Sequence, residues 1–370
     1  MLTHGNLVSN AEATARAAGS DAEEILLSWL PYSHIYARTC DHYVTNFTGS
    51  TVCLAESMDT LLVNLAEIRP TYFTSVPRFY EKVWSAVQGL PPADRADRLH
   101  RIFGPRIRRL SSGGAPLPLH VAEGFAEAGI ILLEGYGLTE SSPVISFNRE
   151  NLYKLGTVGT AIEDVEIRLT DDGEILTKGP HVMKGYWEDP EATKLAISDG
   201  WLRTGDVGNL DSEGFLSITD RKKDLIITSG GKNVSPAELE RLLVSDPYIE
   251  HAVAHGDDRP FISALLVPNF PLLTEKAAEF GCSLDVHGDL IGSERICRFM
   301  KERVDALMQE VSKPERVKAI LILGRPLQIE ADELTATQKV RRRHLLTTFA
   351  TQFDAIYAGN GSTRPASNDD

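Results

Sequence analysis

The sequence predicts an α/β protein: a large N-terminal α/β domain that ends in a β-rich subdomain, then a small C-terminal α+β domain. Three observations predict it. Between Glu24 and Leu133, short apolar, β-branched or aromatic runs alternate with helical patterns, the rhythm of a parallel sheet with crossover helices. After Pro143 the texture changes to short strands and turns, among them Asp171-Asp172-Gly173, where Asp-Gly is a strong hairpin signal. From Asp220 a third texture begins, with strand Leu225–Thr228, the loop Ser229-Gly230-Gly231 and a helix opened by Ser235-Pro236-Ala237-Glu238. Ser at the N-cap, Pro at the first helical position and Glu at the third form a capping box, which satisfies two orphan amides reciprocally. The expected limits are 1–219, with 143–219 as the β-rich part, then 220–350, and a disordered tail over 351–370.

In chain order, His4–Ala18 is Ala-rich and reads as a helix. Glu24–Leu30 is a strand ended by Pro31, with His34 just past it. Ser50–Ala55 reads as a short buried strand, Asp59–Ile68 as a helix stopped by Pro70, and Thr71–Ser75 as a strand. Pro77 opens helix Arg78–Val87, and Asp94–Phe103 follows as a helix. Strand Arg108–Ser111 leads into Ser112-Gly113-Gly114-Ala115-Pro116, helix Pro118–Ala128 comes next, and strand Ile130–Leu133 leads into Glu134-Gly135-Tyr136-Gly137-Leu138-Thr139-Glu140. Two glycine-bearing loops thus follow two parallel strands, at the carboxyl ends where open α/β sheets bind ligands. Val165–Thr170 and Glu174–Lys178 form the hairpin, Asp189-Pro190 caps a helix, and Gly200–Asp206 is antiparallel strand. The last unit holds helix Pro236–Val244, strands Ile249–His255 and Phe261–Val267, helices near Leu272–Phe280 and Glu294–Val311, and strand Val317–Leu323.

Bulk properties narrow the function. The chain has 370 residues, 42% hydrophobic and 24% charged, as in soluble globular proteins of two or three domains. A net charge of -14 argues against nucleic acid as the main partner. The basic runs Arg106–Arg109 and Lys339–Arg343 sit in an acidic chain, and the first reads as a solvated face. Cys40, Cys53, Cys282 and Cys297 are scattered without metal-ligand spacing, which fits a reducing cytoplasm. No apolar run is long enough to span a bilayer, and peripheral membrane contact is left open. A dinucleotide dehydrogenase fails for want of G-x-G-x-x-G after an early strand.

Leu30–His34, Ser112–Pro116, Tyr136–Glu140, Thr204-Gly205-Asp206, Asp220–Glu240 and Thr335–Lys339 occur in this order. Together they resemble the adenylate-forming superfamily of acyl- and aryl-CoA ligases, luciferases and peptide-synthetase adenylation domains. The runs Ser75–Val83, Arg109–Leu117 and Asp220–Ile226 resemble its long-chain fatty acyl-CoA synthetase branch. The resemblance implies ATP, Mg2+ and CoA as cofactor and cosubstrates and a fatty acid as substrate. It places Ser112, Gly113 and Gly114 on one wall of the adenine pocket and Tyr136, flanked by Glu134, Gly135 and Gly137, on the other. Thr139 would contact the α-phosphate and Glu140 would hold magnesium. Asp206 would accept the ribose hydroxyls, with Arg221 and Lys223 also on the nucleotide. Lys339 would bridge the substrate carboxylate and the α-phosphate, His34 would lie beside the acyl pocket, and Gly230 and Gly231 would face CoA. The segment Asp220–Asp224 would be a hinge that exchanges Lys339 for the glycine loop.

Local chemistry leaves blander readings beside these. Tyr136 also reads as a core tyrosine, Glu140 as a helix-start carboxylate, Asp206 as a turn residue, His34 as a structural histidine and Lys339 as one more member of a basic run. Two departures from the family stand out. The segment between Val87 and Ile107 is short, which leaves acyl length open. The Ser/Thr/Gly-rich phosphate loop that precedes the residues matching Met1–Asn6 is not in these 370 residues. The expectation is an internal methionine at Met1 in a long-chain fatty acid–CoA ligase. The alternative is a truncated, catalytically incompetent nucleotide-binding remnant or partner subunit.

Overall fold

Successive strand residues face opposite sides of a sheet, and Leu132 and Leu133 show how this chain uses that alternation. In the computed structural model, strands β1 (Ile25–Ser28), β2 (Thr51–Leu54), β3 (Tyr72–Ser75), β4 (Arg109–Ser112) and β5 (Leu132–Gly137) are parallel, in the order β2-β1-β3-β4-β5. β6 (Val144–Phe147) and β7 (Thr160–Ala161) extend the sheet antiparallel. Leu27, Phe73, Leu110 and Leu132 bury with Leu65, Tyr80, Phe103 and Phe125 of the crossover helices. Leu133, Val144 and Phe147 bury in a second cluster with Ala13, Ala18 and Cys40. Both faces are covered, as a parallel sheet requires.

The structure describes residues 1–222, 224–281, 293–335, 338–359 and 364–366; Lys223, Cys282, Ala336 and Thr337 lie outside them. It divides into two compact units, Met1–Ile218 and Thr219–Asp370. The first also holds a second sheet, β10-β11-β9-β8, from β8 (Glu166–Leu169), β9 (Glu174–Lys178), β10 (Ile197–Ser198) and β11 (Trp201–Leu210); β12 (Leu216–Arg221), which runs across the boundary between the units, pairs with β11. The second unit has a small hairpin, β13 (Ile226–Ile227) and β14 (Asn233–Val234), and a sheet of β15 (Ile249–His255), β16 (Ile262–Pro268), β17 (Val317–Leu323) and β18 (Arg364–Ala366). β15 and β16 are antiparallel, whereas β16, β17 and β18 run parallel. No helix among the described residues is long and apolar enough to cross a membrane.

Strong local signals set several elements. Helix His4–Ala18 starts with Thr3 and Asn6 in a reciprocal capping box and ends at Gly19, whose φ of 63° is a left-handed cap. The box expected at Ser235 forms on one side: Ser235 Oγ accepts from Glu238 N at 3.2 Å.

Other expectations are corrected. β2 is not buried: it is the sheet edge with one neighbour, and Leu54 is 70% exposed. Residues 351–358 of the expected disordered tail belong to helix Ala350–Ala358, because Phe353 and Ile356 recur on one face and fill the core of the second unit. The first basic run is not wholly solvated. Arg109 is 2% exposed and is held by Glu24, by Glu150 at 3.0 Å and over the ring of Tyr72. A buried charge survives only when paired in this way.

Candidate active site

The carboxyl end of β4 carries the first of the expected site residues. Ser112 closes the strand, 2% exposed, and its hydroxyl has no hydrogen-bond partner among the described residues. Gly113 lies under the ring of Tyr36, where a Cβ would fall 2.9 Å from Cζ. Gly114 takes a φ of 82°, which favours glycine. Tyr36 is set by its hydroxyl, 3.0 Å from Ser111 Oγ.

The second stretch is a strand where a loop was expected. β5 continues past Leu133 through Glu134, Gly135, Tyr136 and Gly137, because β6 returns beside it and pairs Gly135 with Phe147 and Tyr136 with Ser146. This pairing explains two glycines. A Cβ on Gly135 would lie 2.8 Å from the Phe147 ring, and one on Gly137 1.9 Å from the Pro143 carbonyl oxygen. Burial pushes the Glu134 carboxyl up to about 7, although Leu117 N donates to it.

Tyr136 and Asp206, 70 residues apart, meet: the phenol donates to Asp206 Oδ2 at 2.7 Å. Asp206 is 3% exposed and sits where the register of β11 against β9 shifts between Arg203 and Val207. Such an irregularity re-aims a side chain. Thr204 Oγ1 accepts from Asp206 N at 3.1 Å and donates to Ile175 O at 2.7 Å. Gly205, at φ 71°, donates to Glu174 Oε1 at 3.3 Å. The carboxylate is thus held on a braced irregularity of the strand.

Thr139 and Glu140 lie on a single 3-10 turn, Thr139–Ser141. Met183 N donates to Glu140 O at 2.9 Å, and the Tyr186 phenol donates to Glu140 Oε1 at 3.0 Å. Partial burial and the Glu140 charge push that phenol up to about 12. Glu140 fits a divalent cation shared with nucleotide phosphates, which needs one or two carboxylates; no cluster of three His, Cys, Asp or Glu is present among the described residues. His34 is exposed and caps the short helix Ile35–Ala37, its Nδ1 accepting from Tyr36 N at 3.3 Å.

In the second unit, Arg221 ends β12, and its N–H donates to Asp220 Oδ1 at 2.6 Å. Gly230 and Gly231 form the exposed tip of the β13–β14 hairpin, where a plain strand-loop-helix was expected. Gly231 N donates to Thr228 O at 2.8 Å with φ 72°. Lys339 lies in a tight turn: Thr335 N donates to Lys339 O at 2.9 Å, and Lys339 N to Thr335 Oγ1 at 3.0 Å. Gln338 there has φ 59°, where a glycine costs least. Two other members of the basic run anchor this segment. Arg341 pairs with Asp332 at 2.6 Å, and Arg342 binds Glu240 and the Ala254 carbonyl.

The first unit therefore brings Tyr136 to Asp206, whereas Lys339 and the glycine hairpin belong to the second. Tyr36, Glu174 and Tyr186 escaped the sequence reading. Gly185-Tyr186 was the only visible trace of the last, and nothing local ties it to Glu140.

Comparison with known proteins follows the same division. The family model described as AMP-binding enzyme matches residues 1–187, and that of the AMP-binding enzyme C-terminal domain matches 223–361. The long-chain-fatty-acid–CoA ligase FadD15 of Mycobacterium bovis is 34% identical over 90% of this chain and 62% of its own length. The putative fatty-acid–CoA ligase fadD11 of Mycobacterium tuberculosis is 31% identical over 96% and 70%. The chain thus spans about three fifths of the length of FadD15. Among solved structures, ATP-bound MatB from Rhodopseudomonas palustris superposes with a TM-score of 0.73 at 26% identity, covering 95% of this chain and 65% of that one. MenE of Bacillus subtilis, in complex with ATP and magnesium, gives 0.71 at 26% identity, covering 92% and 65%. Matches to both units, in order and over nearly the whole sequence, show that the chain belongs to the adenylate-forming, AMP-binding enzyme family.

Proposed function

We propose that this chain carries the adenylation and thioester-forming residues of a long-chain fatty acid–CoA ligase. The observation that supports it most is the Tyr136–Asp206 bond, since an aromatic face for adenine and a buried carboxylate for ribose then share one site. The names of the relatives support the fatty-acid branch.

In this reading Tyr136 stacks on adenine opposite Ser112, Gly113 and Gly114. Asp206 accepts from the ribose hydroxyls, which a carboxylate can do from two donors at once. Arg221 and Lys223 serve the nucleotide as well. The fatty carboxylate attacks the α-phosphorus, the bond to pyrophosphate breaks, and acyl-AMP forms. Lys339 and Thr139 act where negative charge gathers on the α-phosphate, so a fixed cation there favours the transition state over the ground state. A divalent cation at Glu140 would neutralise phosphate charge. The CoA thiolate then attacks the acyl carbonyl and AMP leaves, with Gly230 and Gly231 along the CoA path and His34 beside the acyl chain.

The test is palmitate-dependent release of pyrophosphate from ATP, followed by palmitoyl-CoA formation, for this chain and for the chain extended by any reading frame upstream. Activity supports the proposal. No release with any carboxylic acid refutes it, and AMP binding without release supports the nucleotide-binding remnant instead.

A further inference from the structure

Glu140 is held from outside its own turn. The segment after β9 is laid on the turn by three hydrogen bonds. Met183 N donates to Glu140 O at 2.9 Å, Ser142 Oγ to His181 O at 2.9 Å, and the Tyr186 hydroxyl to Glu140 Oε1 at 3.0 Å. The first two fix the backbone, whereas the third grips the carboxylate itself.

Tyr186 is itself braced. Its N–H donates to Thr193 Oγ1 at 2.9 Å, and Thr193 Oγ1 donates to Asp189 O at 2.8 Å. Gly185, at φ 140°, packs so close to Thr193 that a Cβ would fall 2.6 Å from Cγ2. The phenol is therefore delivered from a backbone with little freedom. A glutamate side chain left alone turns about three bonds. Engaging Oε1 from a fixed donor leaves Oε2 as the oxygen presented to a cation.

We propose that Tyr186 is a positioning residue for Glu140, which it orients as a one-oxygen ligand for the divalent cation that accompanies ATP. This rests on the ligase reading above. Hydrogen-bond partners of ligating carboxylates contribute roughly 10–100-fold to metal affinity or activity.

The test compares Tyr186→Phe, Glu140→Gln and the double variant by two measurements. One is Mn2+ binding in the presence of ATP, without acid substrate, followed by the electron paramagnetic resonance of free Mn2+. The other is the Mg2+ dependence of pyrophosphate release. Tyr186→Phe is expected to weaken Mn2+ binding about 10-fold, leave KM for the fatty acid unchanged, and regain the wild-type rate in excess Mg2+. The double variant is expected to match Glu140→Gln, because Tyr186 acts through Glu140. Unchanged Mn2+ affinity in Tyr186→Phe while Glu140→Gln loses it overturns the positioning role, as do full additivity and failure of Mg2+ to rescue. Wild-type Mn2+ binding in Glu140→Gln instead overturns the placement of the cation.

Discussion

Replacing Glu134 by glutamine should make the first unit more stable at pH 8 and leave it unchanged near pH 4.5. Glu134 lies in β5 beside Ser112, and burial raises its carboxyl from 4.5 to about 7. The unfolded chain loses this proton near 4.5, while the folded chain keeps it to about 7. Over that window the folded state binds more protons, so stability falls as pH rises. At about 1.4 kcal/mol for each unit, the full displacement is worth about 3 kcal/mol. Glutamine stays neutral throughout and keeps an acceptor for Leu117 N. The four tryptophans, Trp29, Trp84, Trp187 and Trp201, all lie in the first unit, so tryptophan fluorescence follows that unit during thermal melts. For a unit of this size about 3 kcal/mol corresponds to roughly 6–12 °C. Groups that titrate in both proteins cancel in the difference. Equal melting differences at pH 4.5 and pH 8, or a variant less stable at pH 8, would refute the reasoning.

Three further outcomes are expected. Gly137→Ala places a methyl 1.9 Å from a backbone oxygen and should cost about 3 kcal/mol, read as a lower melting temperature by fluorescence even without nucleotide. Gln338→Gly relieves a left-handed backbone and should stabilise the second unit by about 1 kcal/mol, read by circular dichroism melts. Lys339→Met should lower pyrophosphate release by about 100–1000-fold while acyl-CoA formation from supplied acyl-AMP persists; equal loss of both would count against its assignment to the first step.

Elements with strong local signals were legible in the sequence. Helix Pro236–Val244 and strands Ile249–His255 and Val317–Leu323 have the limits read from pattern, proline and cap. The ordered motifs by themselves likewise point to the family. Misreadings fall where a distant partner decides. Glu134–Gly137 looks like a glycine loop, yet β6 pairs with it and makes it strand. Arg109 sits in a basic run, yet Glu24 and Glu150 reach it and allow its burial.

What the sequence determined by itself was chemistry and local form: which side chains are available, in which order, and where helices and turns begin. Those depend on neighbours within a few residues. Which groups meet is set by packing in three dimensions. Tyr136 reaches Asp206 across 70 positions, and Tyr186 reaches Glu140 across 46. The first contact depends on sheet register and on a strand irregularity at Asp206, which set direction to within one residue, and the second on hydrogen bonds that lay the segment after β9 on the turn of Glu140. No pattern along the chain encodes that direction, because it arises from packing between segments that the sequence keeps far apart.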